Sequence, residues 1–143
     1  MNGAAVAVPE GWSAMGDPPT VSAIKRVLMP PGATTFLGLK LIPGVDTTEA
    51  TRLFEDEVGQ AAAELVAEGT PAAISEVTRT SAGGRAIAGR QLRIVTEGSE
   101  GLWTMVRLAD GAGLAMVVTT GDAATEAAVT PLVDELLDSV SFE

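Results

Sequence analysis

The stretch 86–120, AIAGRQLRIVTEGSEGLWTMVRLADGAGLAMVVTT, decides the fold. It holds three runs rich in Val, Ile, Leu and Met, at Ala86–Glu97, Leu102–Ala109 and Leu114–Thr120, parted by short Gly and Asp segments. Connections this short allow only antiparallel hairpins. Upstream, Ala73–Ser81 joins the set through Gly83-Gly84, giving a four-stranded meander. Placing Ser99-Glu100 as a two-residue loop sets Ile94 opposite Met105 and Leu92 opposite Arg107. Placing Asp110-Gly111 likewise sets Met105 opposite Met116 and Trp103 opposite Val118. One face then carries Leu92, Ile94, Trp103, Met105, Leu114, Met116 and Val118, a core face that needs a helix over it. The other carries Gln91, Arg93, Val95, Thr104, Val106, Leu108, Val117 and Thr119, part core and part solvated. A slip of one residue would exchange the faces.

Ahead of the meander, a helix is predicted over Thr47–Glu68. Ala50, Leu53, Phe54, Val58, Ala61, Ala62, Leu65 and Val66 recur at helical spacing, and Asp46 with Glu49 makes a capping-box pattern. Gly69-Thr70-Pro71 stops it. Before that lie three strands, Ala4–Val8, Val21–Met29 and Thr34–Ile42, with a loop at Met15–Thr20 and a Pro30-Pro31-Gly32 turn. The chain closes with a helix within Ala123–Asp138 and an extended tail, Val140–Phe142. Pro131 predicts either a kink or a second helix that starts with Thr130 as cap. The order β-β-β-α-β-β-β-β-α reads as α+β: one domain, 1–143, with an antiparallel sheet of about six to seven strands sandwiched by two helices.

Composition narrows function by exclusion. The chain has no histidine, cysteine or tyrosine, so the usual general base, the most reactive nucleophile and the best zinc ligands are missing. Nineteen acidic against nine basic residues give a net charge of −10, opposite in sign to a nucleic-acid binder or a ligand for anionic membranes. Seven of the nine basic residues are Arg, a usage that correlates with a GC-rich genome. No segment has the roughly 18 uninterrupted apolar residues of a membrane helix, and the start has no basic residue of a signal peptide. The chain as given reads as cytoplasmic; a mature secreted or envelope fragment would read the same.

Clusters that could carry chemistry have simpler explanations. Glu55-Asp56-Glu57 point about 100° apart on a helix and cannot converge on one ion. Asp134 and Asp138 share a face, which allows a weak cation site, although a solvated face is the stronger reading. Gly83-Gly84 and Gly111-Ala112-Gly113 lack the Lys-Ser/Thr of a phosphate loop and fit hairpin turns. No Gly-x-Ser-x-Gly elbow is present, and the only lysines, Lys25 and Lys40, have no evident serine partner. Arg79, Arg85, Arg90, Arg93 and Arg107 lie on or beside the meander strands, while the acids concentrate on the helices. Such arginines could receive an acidic partner, but internal pairing, for instance with Glu76 and Glu97, is the stronger reading. Trp12 and Trp103 read as core anchors.

The motif Val8-Pro9-Glu10-Gly11-Trp12 resembles the P-x-G-W opening of the PsbP-like superfamily, and Leu136–Phe142 (LLDSVSF) resembles its hydrophobic–Ser–hydrophobic end. The superfamily includes DcrB-type domains, LpqN-type lipoproteins of high-GC bacteria, and PsbP. The resemblance implies an antiparallel sheet sandwiched by helices and a role in binding or scaffolding other proteins; some DcrB-like members act as chaperones for secreted effectors. LpqN-like members carry a lipobox cysteine after a signal peptide, and this chain has neither. PsbP assists a manganese cluster, but no ligand set here supports carrying that over.

The resulting expectation is a non-enzymatic accessory domain with no cofactor and no metal, whose partner is another protein and whose oligomeric state is open. The expected recognition surface is the meander face with Gln91, Arg93 and Thr104, together with Glu76. Arg93 draws attention because a charge in mid-strand between Leu92 and Ile94 needs either an internal carboxylate or solvent and a partner. The alternative is a small-molecule binder or minor enzyme with a sheet-face pocket using Arg93 or Arg107 and Glu76.

Overall fold

The computed structural model describes residues 4–5, 13–15, 24–29, 37–67, 72–96, 99–108 and 113–142. In chain order the elements are β1 (Ala4–Ala5), β2 (Ser13–Met15), β3 (Ile24–Met29), β4 (Leu37–Pro43), α1 (Thr47–Ala67), β5 (Ala72–Thr80), β6 (Ala86–Thr96), β7 (Ser99–Leu108), β8 (Gly113–Gly121), α2 (Ala123–Asp138) and β9 (Ser141–Phe142). The class is α+β. Seven strands form one antiparallel sheet in the order β2-β3-β4-β8-β7-β6-β5, and the five long ones, β4 to β8, are its body. β1 and β9 pair with each other outside that sheet.

The first strand is thus not a member of the main sheet. Its described part, Ala4–Ala5, pairs with the tail. The segment expected as loop from Met15 contributes the end of β2, which pairs with β3. Trp12 and the turn Pro30-Pro31-Gly32 lie outside the described residues.

Both hairpin loops differ from the expected ones. Leu92 faces Trp103 and Ile94 faces Gly101, because Ser99 and Glu100 are strand residues paired with Thr96 and Val95, not the loop. Met105 faces Val118 and Arg107 faces Met116, which leaves four residues, 109–112, between β7 and β8. Both slips are even, so every side chain keeps its face, as a period of two requires.

Each face therefore has its own core. On the first, Leu92, Met105, Leu114 and Met116 are buried against Ala50, Phe54, Val58 and Ala61 of α1, with Ile94, Trp103 and Val118 half-buried around them. On the second, Leu37, Leu39, Leu41, Ile87, Val106, Leu108, Ala115 and Val117 are buried against Val129, Val133, Leu136 and Leu137 of α2. Thr104, expected on a partly solvated face, is buried too. The central strand β8 is covered from both sides, and Gly113 to Val117 are all buried.

The helix starts follow from single carboxylates. Asp46 accepts from the Glu49 N–H at 2.8 Å. Glu49 does not return the bond and pairs with Arg52 instead, so the capping box is half made. Asp122 caps α2 by accepting from the Thr125 N–H at 2.8 Å. α2 then runs unbroken through Pro131. Thr130 is not a cap: its hydroxyl donates to the Glu126 carbonyl one turn back, at 2.8 Å. No helix among the described residues is long and apolar enough to cross a membrane.

Two substitutions test this packing. A Cβ at Gly89 would lie 2.0 Å from the Met105 carbonyl oxygen and 2.7 Å from Val106 Cα, which are backbone atoms that cannot swing away. Gly89→Ala should cost about 2–3 kcal/mol or prevent folding. Phe54→Ala should cost about 3–5 kcal/mol by emptying the α1 core. Urea unfolding measures both, and a loss under about 1 kcal/mol in either would contradict the packing.

Candidate functional site

α2 runs across the sheet from β8 to the β5–β6 turn and leaves one corner open. It begins above β8, where Thr119 donates to Glu126 at 3.0 Å, and ends at the β5–β6 turn, where Asp138 accepts from the Gly83 N–H at 2.9 Å and from the Ser81 hydroxyl. On the α2 face, Ala73, Ser75, Arg93 and Val95 are exposed. They sit on β5 and on the β6 end that pairs with Leu102 and Glu100 of β7.

The sequence-predicted residues meet there only in part. Gln91 and Thr104 are cross-strand neighbours, and Gln91 Nε2 donates to Thr104 Oγ1 at 3.1 Å. Arg93 lies on the same face, 56% exposed, and its guanidinium pairs with Glu100 at 2.7 Å. It thus has both a carboxylate and solvent, because the sheet corner is open. Glu76 does not belong to this group. β5–β6 pairing places it opposite Arg90, on the α1 face, where it is 80% exposed and 3.9 Å from the Arg90 guanidinium. The alternating pleat separates Glu76 from Arg93, so no sheet-face pocket unites them.

The meander arginines do not make a common basic patch. Arg79 reaches Asp134 of α2 through three bonds of 2.7–3.1 Å. Arg85 donates to the Leu137 and Val140 carbonyls at 3.0 and 2.6 Å, closing the C-terminal end of α2. Arg90 pairs with Glu55 at 3.3 Å, and Arg107 lies over the Phe54 ring, 5.6 Å from its centre, donating to Thr51. Glu97, the other acid expected as a partner, lies outside the described residues. Asp134 and Asp138 are engaged by Arg79, Ser81 and Gly83, which removes the weak cation site: their oxygens already have donors. Glu55, Asp56 and Glu57 turn to three different cations, Arg90, Arg52 and Lys40.

Three features were missed in the sequence. The first is the free edge: β5, nine residues long, ends the sheet, and among the described residues nothing pairs with its outer side. The second is the pair of exposed large apolar side chains at that edge, Ile74 (53%) and Val95 (48%). Strand order is not written in alternation, so neither was visible. The third is a groove of about 530 Å³ between the β5–β6 turn and α2, lined by Ala82, Thr130, Pro131, Asp134, Glu135 and Asp138.

No family model matches the sequence, and no curated protein matches it. A solved structure does: cyanobacterial PsbP (CyanoP) from Synechocystis sp. PCC 6803 is similar at a TM-score of 0.55 and 12% identity, over 99% of this chain and 92% of that one. The fold is PsbP-like. At that identity the likeness is one of architecture.

The Arg79–Asp134 pair should behave as a coupled unit, since both side chains are largely buried (23% and 17% exposed). Arg79→Met and Asp134→Asn should each cost about 1.5–3 kcal/mol, and the double variant less than their sum by more than about 0.5 kcal/mol. Strict additivity in urea unfolding would refute the coupling. Asp122 supplies a pH test. The Thr125 N–H holds its carboxyl below the ordinary aspartate value of 3.8. A depressed folded value means stability present above about pH 4 and lost as pH falls through that lower value. Asp122→Asn keeps the cap but should lack this part of the acid loss, read as a smaller drop in Tm between about pH 5 and pH 2.

Proposed function

We propose that the chain is a non-enzymatic accessory domain that binds another protein, the role that the resemblance to PsbP-like domains implies. One observation carries this reading: the unpaired edge of β5 beside an uncovered sheet corner, with Ile74 and Val95 exposed at it. An extended segment adds to such an edge through main-chain hydrogen bonds, with exposed side chains on either face giving selectivity. Arg93, with Gln91 and Thr104 behind it, supplies polar contact on the α2 face, and Glu76 on the other. The small-molecule alternative has less support. Arg93 and Glu76 are on opposite faces, Arg107 is stacked on Phe54, and two of the three acids lining the groove, Asp134 and Asp138, are drawn into bonds that hold α2.

The test is affinity capture from the source cells, followed by direct titration of each captured protein against the purified chain. Ile74→Lys, Val95→Lys and Arg93→Glu should each weaken binding by about tenfold or more. Melting should stay within about 4 °C of the parent, because all three residues are exposed. Binding indifferent to all three variants would remove this edge from consideration.

A further inference from the structure

The groove at the end of α2 has an electrostatic imbalance that the fold does not cancel. Its wall carries Asp134, Glu135 and Asp138, all in the last turns of a helix whose final turn holds no basic residue. A helix C-terminus adds about half a negative charge of its own. Arg79 and Arg85 bring two positive charges from the hairpin. Three carboxylates and the helix end against two guanidiniums leave an excess of about one and a half negative charges. Glu135 is exposed and has no bond among the described residues. Ala82, Pro131 and the methyl of Thr130, whose hydroxyl is turned to Glu126, make the rest of the lining apolar.

We propose that this groove docks a lysine or arginine side chain of the protein partner. The inference rests on the protein-binding reading and adds the chemistry of the partner. An apolar lining with a carboxylate rim fits an aliphatic stem that ends in a cation. A bare metal ion fits poorly, since Asp134 and Asp138 already accept from Arg79, Ser81 and Gly83 and no three acids among the described residues converge as ligands. A second copy of this chain fits poorly too. Among the described side chains, Lys40, Arg52, Arg79, Arg85, Arg90, Arg93 and Arg107 are each engaged within the chain, and two copies would meet with a charge of −10 each. The groove also lies beside the C-terminal end of β5: Arg79 of that strand reaches Asp134 in the groove wall, and Ala82 just beyond the strand lines it. A segment laid along β5 therefore passes it.

The test uses an acetylated, amidated peptide, SVTVRVTS, and two versions with norleucine or Glu in place of Arg, titrated into the full chain by backbone-amide NMR. The Arg peptide should shift the amides of Ala82, Thr130 and Glu135. Its affinity should fall by about tenfold with norleucine, in Glu135→Lys, and between low and moderately high salt, as a charge contact at a surface groove requires. Glu135→Gln should give a smaller loss in the same direction, and both variants should melt within about 4 °C of the parent. Equal binding of the Arg and norleucine peptides, or shifts elsewhere, would overturn the proposal. So would spermidine or Mg²⁺ reproducing the same shifts at the same concentration, since the groove would then take any cation. The two readings fail separately. Sensitivity to Glu135→Lys but not Ile74→Lys would overturn edge addition alone, and the reverse would overturn the groove alone.

Discussion

Burial of β8 from both sides is the constraint on which the structure depends. Leu114 and Met116 face one helix, Ala115 and Val117 the other, and all four are buried. A strand buried on both faces cannot tolerate a single bare face, so both helices are required. The topology supplies them: α1 follows β4, α2 follows β8, and these strands are neighbours in the sheet. At about 25 cal/mol per Å² of apolar surface, aliphatic side chains with Phe54 among them can sustain two such layers. That explains how a chain with 3% aromatic residues builds a core.

The second helix needs more than apolar contact. Acids at its C-terminal end oppose the helix dipole and would favour fraying. The β5–β6 hairpin counters this with Arg79 on Asp134, Arg85 on the terminal carbonyls, and Ser81 with Gly83 on Asp138. Ion pairs of this kind add little net stability but are costly to break singly. Their effect is to fix where α2 ends on the sheet. The open corner at Arg93 and Val95 is a consequence, since a helix anchored at the hairpin and at Thr119 cannot also cover the far ends of β5 and β6.

Much of this was legible in the sequence. The meander, both helices, the α1 core face and the assignment of side chains to faces follow from alternation and helical spacing. They survived wrong loops because the errors were even. The β6–β7 register escaped because Gly98 and Gly101 are both turn formers in sequence, and only pairing shows that Gly101 is a strand residue opposite Ile94. Glu76 was grouped with Arg93 because both looked like polar residues of one meander; the β5–β6 register, fixed by the turn near Gly84 at φ 85°, puts them on opposite faces. The short strands β2 and β9 carry too few residues for any periodicity. The groove depends on where α2 ends against a hairpin 55 residues away in sequence, a distance over which local pattern is silent.

An open edge strand is ordinarily a liability, because it templates pairing with any other edge. Here the guard is electrostatic. Glu76 and Arg79 interrupt the apolar run of β5, and the net charge of −10 repels further copies before edges can meet. That guard is selective. It acts against this chain and other acidic chains, and it favours a segment that brings positive charge. Among the described side chains, Lys40, Arg79, Arg85 and Arg90 are engaged inside the fold, holding helices to strands. What the fold leaves outward is an unpaired edge in a negative field. The charge balance that keeps β5 from self-association therefore also selects the kind of partner that can reach it.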